Sequence, residues 1–387
     1  MSAMQATERG FARSEFEGRL ARLRNAMGER SLDLMLIDDS EILNYFTGFE
    51  TSLNLYRACL VPLDGGLTMV LRQLDVAPFL EQSWFGGCVG FADTDDPALA
   101  VAAAIRSTGS ERARIGVDFG SHAMTVNSFQ AMQAALPQAS FVAMTHVPWE
   151  LRLIKSEAEI GRIARAAGIA DATMLAIAEE AKPGMTTRDA TAIAVRQFVD
   201  RGGDAQYVGR IAAGRGWDFL HRAVSDEPLQ AGDILHVELA PSYAGYSARL
   251  MRCIVFGPID AALARTAERL AELQDRQFAG MRPGARAGDV DRILREGVLR
   301  EGLRESYPNI TGYTLGYYSH QPLRSSDFTR VFHPGADWRL EPGMAFHMYT
   351  SARGISLSET VVIREAGAVR LTSLPRTPFC VSGARGG

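Results

Sequence analysis

The chain has 387 residues, of which 47% are hydrophobic and 22% charged, so it can bury a sizeable core and exceeds the usual single-domain length. A formal net charge of −4 without a basic run argues against nucleic acid as the main partner, and no apolar segment of about 18 residues is present to span a membrane. The four cysteines lie far apart without C-x-x-C spacing, and the N-terminal stretch is charged where a signal peptide needs an apolar run, which together predict a cytoplasmic protein with reduced thiols.

Predicted helices and strands alternate through residues 1–150. In chain order they are a helix at 16–30, a strand at 32–37, a helix at 40–48, hairpin strands at 57–62 and 67–71, a helix at 97–107, a strand at 115–117 and a helix at 126–135. This alternation predicts an α/β domain.

Residues 151–387 are predicted to form a second domain, an α+β unit that contains one order of elements twice. Ser156 and Glu159 form a capping box that opens a helix to about residue 181. A Pro-Gly turn follows at 183–184, and a second helix begins near Asp189. The same order returns with a helix at 261–281, a Pro-Gly turn at 283–284 and a helix entered at Asp289, which predicts an internal pseudo-two-fold duplication. The small, polar tail after residue 376 is expected to lack structure.

Each predicted half ends in strands that carry polar residues on one face. In the stretch 232–252, His236 and Glu238 alternate with apolar residues, and Arg249 follows the turn at a position that can lie beside Glu238. Residues 343–351 repeat the pattern, with His347 and Tyr349 in the places of His236 and Glu238. A solvated hairpin is the alternative, but the repetition favours a pocket lined by both halves.

Several short segments resemble landmarks of the creatinase/prolidase/methionine aminopeptidase superfamily. They are Asn44-Tyr-Phe-Thr-Gly-Phe49, Arg152-Leu-Ile-Lys-Ser156, Gly232-Asp233, Gly245-Tyr246, Arg252, Leu340-Glu-Pro-Gly-Met344 and Glu359-Thr-Val361. The resemblance covers nearly the whole chain. It implies a creatinase-type N-terminal α/β domain at residues 1–150 and a duplicated α+β domain, called the pita-bread fold, at 151–387.

The peptidases of this superfamily bind two metal ions through two Asp, one His and two Glu. Those positions fall here on Glu238, Arg249, Tyr313, Tyr349 and Ser358. Only one of the five offers a carboxylate, and Arg249 places a permanent cation where a metal would bind. We therefore predict neither metal nor cofactor; a residual single-metal site of His236, His347 and Glu238 is the alternative.

Two histidines carry the metal-free resemblance. His221 matches the acid/base histidine of creatinase-like enzymes, and His320 matches their second histidine on the substrate side. The pattern is similar to creatinase and ectoine hydrolase, which cleave C–N bonds without metal. Creatinase has His and Glu where this chain has Tyr313 and Tyr349, so the resemblance does not imply creatine as the substrate.

The predicted catalytic residues are His221, Glu238 and His320, with His221 as general acid/base. Their structural alternatives are a loop hydrogen bond for His221, an ion pair with Arg249 for Glu238, and a core hydrogen bond for His320. The predicted substrate-binding residues are Arg249, Tyr313, Tyr349, His236, His347, Trp217, Arg330 and Arg57.

These residues predict a metal-independent hydrolase of an amide or amidine C–N bond in a small carboxylate-bearing molecule. A metal-free lyase and a non-catalytic binding module are the alternatives, and a metal-dependent Xaa-Pro aminopeptidase is placed last. The resemblance further implies a homodimer in which the N-terminal domain of one subunit, near Arg57, lies at the active site of the other.

Overall fold

The computed structural model describes residues 10–50, 54–204, 207–216, 219–317 and 329–381. The chain forms two compact units, the first ending at Arg152 and the second beginning at Leu153. None of the helices in these ranges is long and apolar enough to cross a membrane.

The first unit is an α/β structure, as predicted. Its strands are β1 (Leu34–Ile37), β2 (Ala58–Pro62), β3 (Thr68–Arg72), β4 (Cys88–Phe91), β5 (Arg114–Val117) and β6 (Ser140–Ala143). Its helices are α1 (Arg13–Gly28), α2 (Ser40–Thr47), α3 (Val76–Gln82), α4 (Pro97–Ser107), α5 (Val126–Ala135) and α6 (Val147–Glu150). The strands form one sheet in the order β4-β3-β2-β1-β5-β6.

Strand β1 explains why this sheet is covered on both faces. All four of its residues are buried. Met35 and Ile37 belong to one hydrophobic cluster, whereas Leu34 and Leu36 belong to another. Because successive strand side chains point to opposite faces, an unbroken apolar run requires a core on each side.

The second unit contains the predicted pair of helical hairpins around one large sheet. Its helices are α7 (Glu157–Glu180), α8 (Thr187–Asp200), α9 (Ala261–Gly280) and α10 (Ala287–Arg300). Its strands are β7 (Ile211–Gly214), β8 (Ile234–Leu239), β9 (Ser242–Tyr243), β10 (Tyr246–Ser247), β11 (Leu250–Phe256), β12 (Gly312–Thr314), β13 (Val331–Phe332), β14 (Ala345–Ala352), β15 (Ile355–Arg364), β16 (Gly367–Arg370) and β17 (Phe379–Val381). The main sheet runs in the order β13-β12-β14-β15-β11-β8-β7, with β16 beside β15 and β17 beside β11.

The two Pro-Gly turns are equivalent in the structure. Gly184 and Gly284 have φ values of 86° and 83°, in the left-handed region that favours glycine. The amide of Gly184 donates to the Leu229 carbonyl and that of Gly284 to the Leu340 carbonyl, at 2.9 and 2.8 Å. The predicted duplication is therefore confirmed by geometry as well as by sequence.

Alternation along β8 directs its side chains to two different environments. Leu235, Val237 and Leu239 belong to the same apolar cluster as residues of α7 and α8. His236 and Glu238 consequently point to the opposite face of the sheet. We call this opposite side the polar face of the sheet; it carries the candidate site.

Some elements were not predicted. Strands β4 and β6 lie at the two edges of the first sheet and are half exposed, so they lack the apolar runs that mark buried strands. The prediction of an unstructured tail after residue 376 was wrong for residues 379–381, because Phe379 to Val381 pair in parallel with β11.

Candidate functional site

The polar face brings together residues from β8, β11, β14 and β15. Register pairs Met251 with both Glu238 and Ser358, and pairs Ser358 with Tyr349. Glu238, Ser358 and Tyr349 therefore lie in one row across the sheet, and His236 lies beside them in the next row, opposite Cys253. The two predicted halves do meet at one site.

Glu238 and Arg249 form a buried ion pair, which the sequence left open as the structural alternative to a catalytic role for Glu238. Arg249 Nη1 lies 3.4 Å from Glu238 Oε1, and the two side chains are 9% and 10% exposed. Thr360 fixes the arginine backbone: its hydroxyl accepts from the Arg249 amide and donates to the Arg249 carbonyl, both at 2.8 Å. The Arg249 guanidinium carbon also lies 5.9 Å from the centre of the Tyr313 ring, within reach of a cation–π interaction.

Three rings form an aromatic group beside this pair. His347 lies 5.0 Å from the Tyr313 ring in an edge-on arrangement and 5.3 Å from Tyr349 in a stacked one. Burial, assisted by the positive charge of Arg249, lowers the pKa of His347 well below its usual value, so the ring is neutral. Neither of its nitrogens has a hydrogen-bond partner in the described ranges. Burial also raises the pKa of Tyr349, which keeps its hydroxyl protonated as a donor.

His236 is held by a second polar group. Its Nδ1 lies 2.5 Å from Ser356 Oγ, and that oxygen lies 3.3 Å from Cys253 Sγ. Burial, with a smaller contribution from the charge of His221, lowers the pKa of His236 to about 3. His236 is therefore neutral at physiological pH.

His221 lies on an exposed turn, in which the Arg222 amide donates to the Phe219 carbonyl at 2.9 Å. It is close enough to His236 for the two rings to interact electrostatically. Its predicted acid/base role stays a prediction. Two other predicted site residues, Trp217 and His320, lie outside the described residues.

The two remaining predicted arginines have structural partners. Arg330 is half-buried, and its Nη1 donates to the Thr329 carbonyl at 3.1 Å. Arg57 belongs to the first unit, is only 7% exposed, and its charge interacts with Asp38 and Asp39. Their roles in substrate binding stay predictions.

Sequence reasoning missed three residues of this region. Tyr207, just before β7, is half-buried and lies within electrostatic reach of Glu238 and Arg249; burial is the main cause of its raised pKa. No pattern in the sequence marks it. The positions of Ser356 and Cys253 on the polar face could have been predicted from the sequence. Ser356 lies two residues before Ser358, and Cys253 lies four residues after Arg249, so each shares the face of that residue.

The described side chains do not fit the metal pair that the resemblance implies. Glu238 is the single carboxylate at the five positions, and its neighbour Arg249 is a cation. No group of three or more His, Cys, Asp or Glu within the described ranges is close enough to hold an ion, which includes the alternative set of His236, His347 and Glu238. Divalent ions need several anionic or imidazole ligands that converge on one point.

Comparison with known proteins gives matches over nearly the whole chain. The model of metallopeptidase family M24 matches residues 161–365, and that of the creatinase/prolidase N-terminal domain matches residues 19–154. Ectoine hydrolase from Halomonas elongata is 24% identical over 95% of this chain and 97% of its own. An Xaa-Pro dipeptidase from Pyrococcus furiosus is 29% identical over 59% of this chain and 65% of its own. The crystal structure of dipeptidase PepE from Mycobacterium ulcerans superimposes with a TM-score of 0.80 at 26% identity, covering 98% of this chain and all of that one.

These matches correct the functional prediction. It placed Xaa-Pro peptidase activity last and cleavage of a non-peptide C–N bond by a metal-independent hydrolase first, whereas dipeptidases and an Xaa-Pro dipeptidase are prominent among the similar proteins. That ranking was wrong. The functional prediction rested on the five metal-ligand positions of the site, whereas the matches to known proteins extend over both units.

The matched range of the catalytic-domain model covers more than half of the chain, and it contains helices α8, α9 and α10 and most of α7. The predicted fold class, a creatinase-type N-terminal α/β domain followed by a duplicated pita-bread domain, is confirmed. This protein belongs to metallopeptidase family M24 and carries a creatinase/prolidase N-terminal domain.

Proposed function

We propose that the protein is a hydrolase that cleaves the peptide bond of a dipeptide-sized substrate. One observation carries the proposal: a buried Glu238–Arg249 pair lies on the polar face beside Tyr313, His347 and Tyr349. The dipeptidases among the similar proteins support the reaction class.

The chemistry of this pair suits the two ends of a dipeptide. The Glu238 carboxylate can bind an ammonium group, and the Arg249 guanidinium can bind a carboxylate through two parallel N–H donors. Arg249 Nη1 and Glu238 Oε1 lie 3.4 Å apart, so the site presents a positive and a negative group side by side, as the two ends of a dipeptide require. Buried pairs contribute little net stability, so binding is a better reason for keeping this one.

Proton transfer from the attacking water needs a general base at the site. We infer that His221 takes the proton of the attacking water, because it is exposed and lies near the buried His236. Tyr349 would donate a hydrogen bond to the substrate. We also infer that the protein belongs to a branch of the family without the metal pair, and the donor set of the five positions supports this.

Hydrolysis of dipeptides with free and blocked ends tests the proposal. We expect cleavage of free dipeptides, with Xaa-Pro sequences included, and much weaker cleavage after acetylation of the amino end or amidation of the carboxyl end. The substitution Glu238→Gln should abolish the preference for a free amino end and leave the preference for a free carboxyl end. Hydrolysis of ectoine with no dipeptide cleaved at any concentration would overturn the proposal.

We further propose a cytoplasmic homodimer. The four cysteines are free thiols, which suits a reducing compartment. Sedimentation equilibrium should give twice the chain mass of 42.1 kDa, and a monomer at micromolar concentration would contradict the dimer.

A further inference from the structure

The polar group around His236 is not used in the proposed binding of the two ends of the substrate. Ser356 Oγ lies between His236 Nδ1 at 2.5 Å and Cys253 Sγ at 3.3 Å. The three side chains come from β8, β11 and β15 and are 0–2% exposed. They therefore form a short buried chain of hydrogen bonds that ends at the imidazole.

The proton positions in this chain follow from donor and acceptor strength. The Cys253 sulfur already accepts from the Ser356 amide at 3.2 Å, and burial raises the pKa of the thiol, which stays protonated. A serine hydroxyl has one proton, and imidazole nitrogen accepts it better than a thiol sulfur does. The Ser356 hydroxyl thus donates to His236 Nδ1. A neutral imidazole then carries its own proton on Nε2.

The Nε2 of His236 is left with no partner in the described part of the chain, although the residue is fully buried. An unmet buried donor costs about 1–3 kcal/mol. The cost is removed when a ligand oxygen accepts from it. Glu238 lies two residues along the same strand and on the same face, so this donor is adjacent to the proposed substrate-binding pair.

We propose that His236 is a catalytic residue, a neutral imidazole whose Nε2–H donates a hydrogen bond to the scissile carbonyl oxygen and to the oxyanion formed from it. This rests on the proposed peptide hydrolysis. Ser356 and Cys253 are positioning residues, since they act only through the tautomer of His236.

The step balances without proton transfer from His236. Water loses a proton to the general base and its oxygen bonds to the carbonyl carbon, and the carbonyl π pair moves to the oxygen, which becomes the anion. The hydrogen bond that His236 Nε2–H donates to this oxygen stabilises the negative charge. When the oxygen re-forms the double bond, the C–N bond breaks and the leaving nitrogen takes up the proton that the base received.

Substitutions at His236 separate a donor role from a packing role. Glutamine places an amide N–H near the position of Nε2, whereas methionine fills similar space without a donor. We expect His236→Met to lower kcat for glycyl-L-proline by about 10²–10³-fold with little change in KM, as for the loss of one oxyanion donor. His236→Gln should retain kcat within about tenfold of the wild type. The exposed His333 serves as a control, because His333→Met should keep the wild-type kcat.

NMR spectroscopy of the wild-type protein reports the tautomer of His236 directly. This measurement depends neither on the folding of a variant nor on catalytic turnover. Two-bond ¹H–¹⁵N correlation spectra should show His236 neutral at pH 7 with its proton on Nε2, and Ser356→Ala should change that tautomer population. A proton on Nδ1, a doubly protonated ring, or equal kcat losses in the Gln and Met variants would overturn the role. If the wild type cleaves no dipeptide, the proposed function fails on its own, while the spectra still decide the state of the donor.

Discussion

Burial of Glu238 and Arg249 removes two charges from water, and each is tolerated because the other lies 3.4 Å away. Removal of one partner leaves the second charge buried and uncompensated. The cost is therefore larger than the net contribution of the intact pair.

Arg249→Met is expected to lower the free energy of unfolding by about 3–5 kcal/mol, measured by urea denaturation. The double variant Arg249→Met/Glu238→Leu should lose much less. As a control, Arg188→Ala, in an ion pair with Asp226 whose side chains are 63% and 73% exposed, should change the stability by less than about 1 kcal/mol. Equal losses in the single and double variants would contradict this account.

Asp38 in the first unit titrates near neutral pH. Burial raises its pKa to about 7, although the Tyr56 hydroxyl donates to it at 3.0 Å. The folded chain thus holds a proton that the unfolded chain releases near pH 4. This contribution to stability is fully present below pH 4 and is lost as the pH rises through 7.

As the pH rises from 5 to 8, the deprotonation of Asp38 in the folded chain should remove roughly 2–3 kcal/mol of stability. In Asp38→Asn this loss should be absent, since an amide cannot ionise. Urea denaturation of both proteins at the two pH values gives the difference, in which the other titrating groups cancel. A wild-type-minus-variant difference that is the same at pH 5 and pH 8 would rule out the raised pKa.

The duplicated helices α8 and α10 begin with different N-terminal caps. Helix α8 begins with a capping box, in which the Thr186 hydroxyl accepts from the Asp189 amide and the Asp189 carboxylate accepts from the Thr186 amide. Helix α10 has Asp289 at the matching position, but Arg286 precedes it and makes no side-chain cap. The Asp289 carboxylate instead accepts from Arg292 Nη1 at 3.0 Å.

Thr186→Ala should therefore destabilise the protein by about 1 kcal/mol, because the first turn of α8 loses its cap. Arg286→Thr should stabilise it by up to about 1 kcal/mol by completing the box with Asp289. Arg286→Ala is the matched control and should change little. The expectation fails if Arg286→Thr and Arg286→Ala are equally stable in urea denaturation.

At the scale of the whole molecule, the chain belongs to a family of metallopeptidases, but the side chains of its site do not suit a metal pair. The five positions that correspond to that family's metal ligands hold one carboxylate. A ligand that binds only the folded state at 100 times its Kd stabilises it by about 2.7 kcal/mol. Binding of a metal ion to the folded protein would therefore raise its unfolding temperature.

After dialysis against EDTA, addition of manganese or cobalt should leave the unfolding temperature unchanged, because the residues that the structure describes offer no convergent ligand set. Calorimetry with and without each ion measures this. A control titration with a dipeptide that the enzyme cleaves should raise the same temperature. A rise with the metal alone would contradict the proposed branch without the metal pair.

Much of the fold could be predicted because its signals are local. Ser156 with Glu159, Asp189 after a Pro-Gly turn, and the alternation at Ile234 to Leu239 depend on neighbours a few residues away. The alternation also gave Arg249 a position that can lie beside Glu238. Edge strands β4 and β6 gave weak signals because their side chains are only partly buried.

The sequence by itself determined the order of most elements, the duplication and the polar face, since each follows from spacing along the chain. Only the tertiary structure decided that His236 meets Ser356 and Cys253, that Tyr207 lies near the ion pair, and that Arg57 faces Asp38 and Asp39. The contacts of His236 join strands β8, β11 and β15, which are neighbours in the sheet but are separated along the chain. Register depends on how whole strands bury their apolar faces, and no local pattern encodes it.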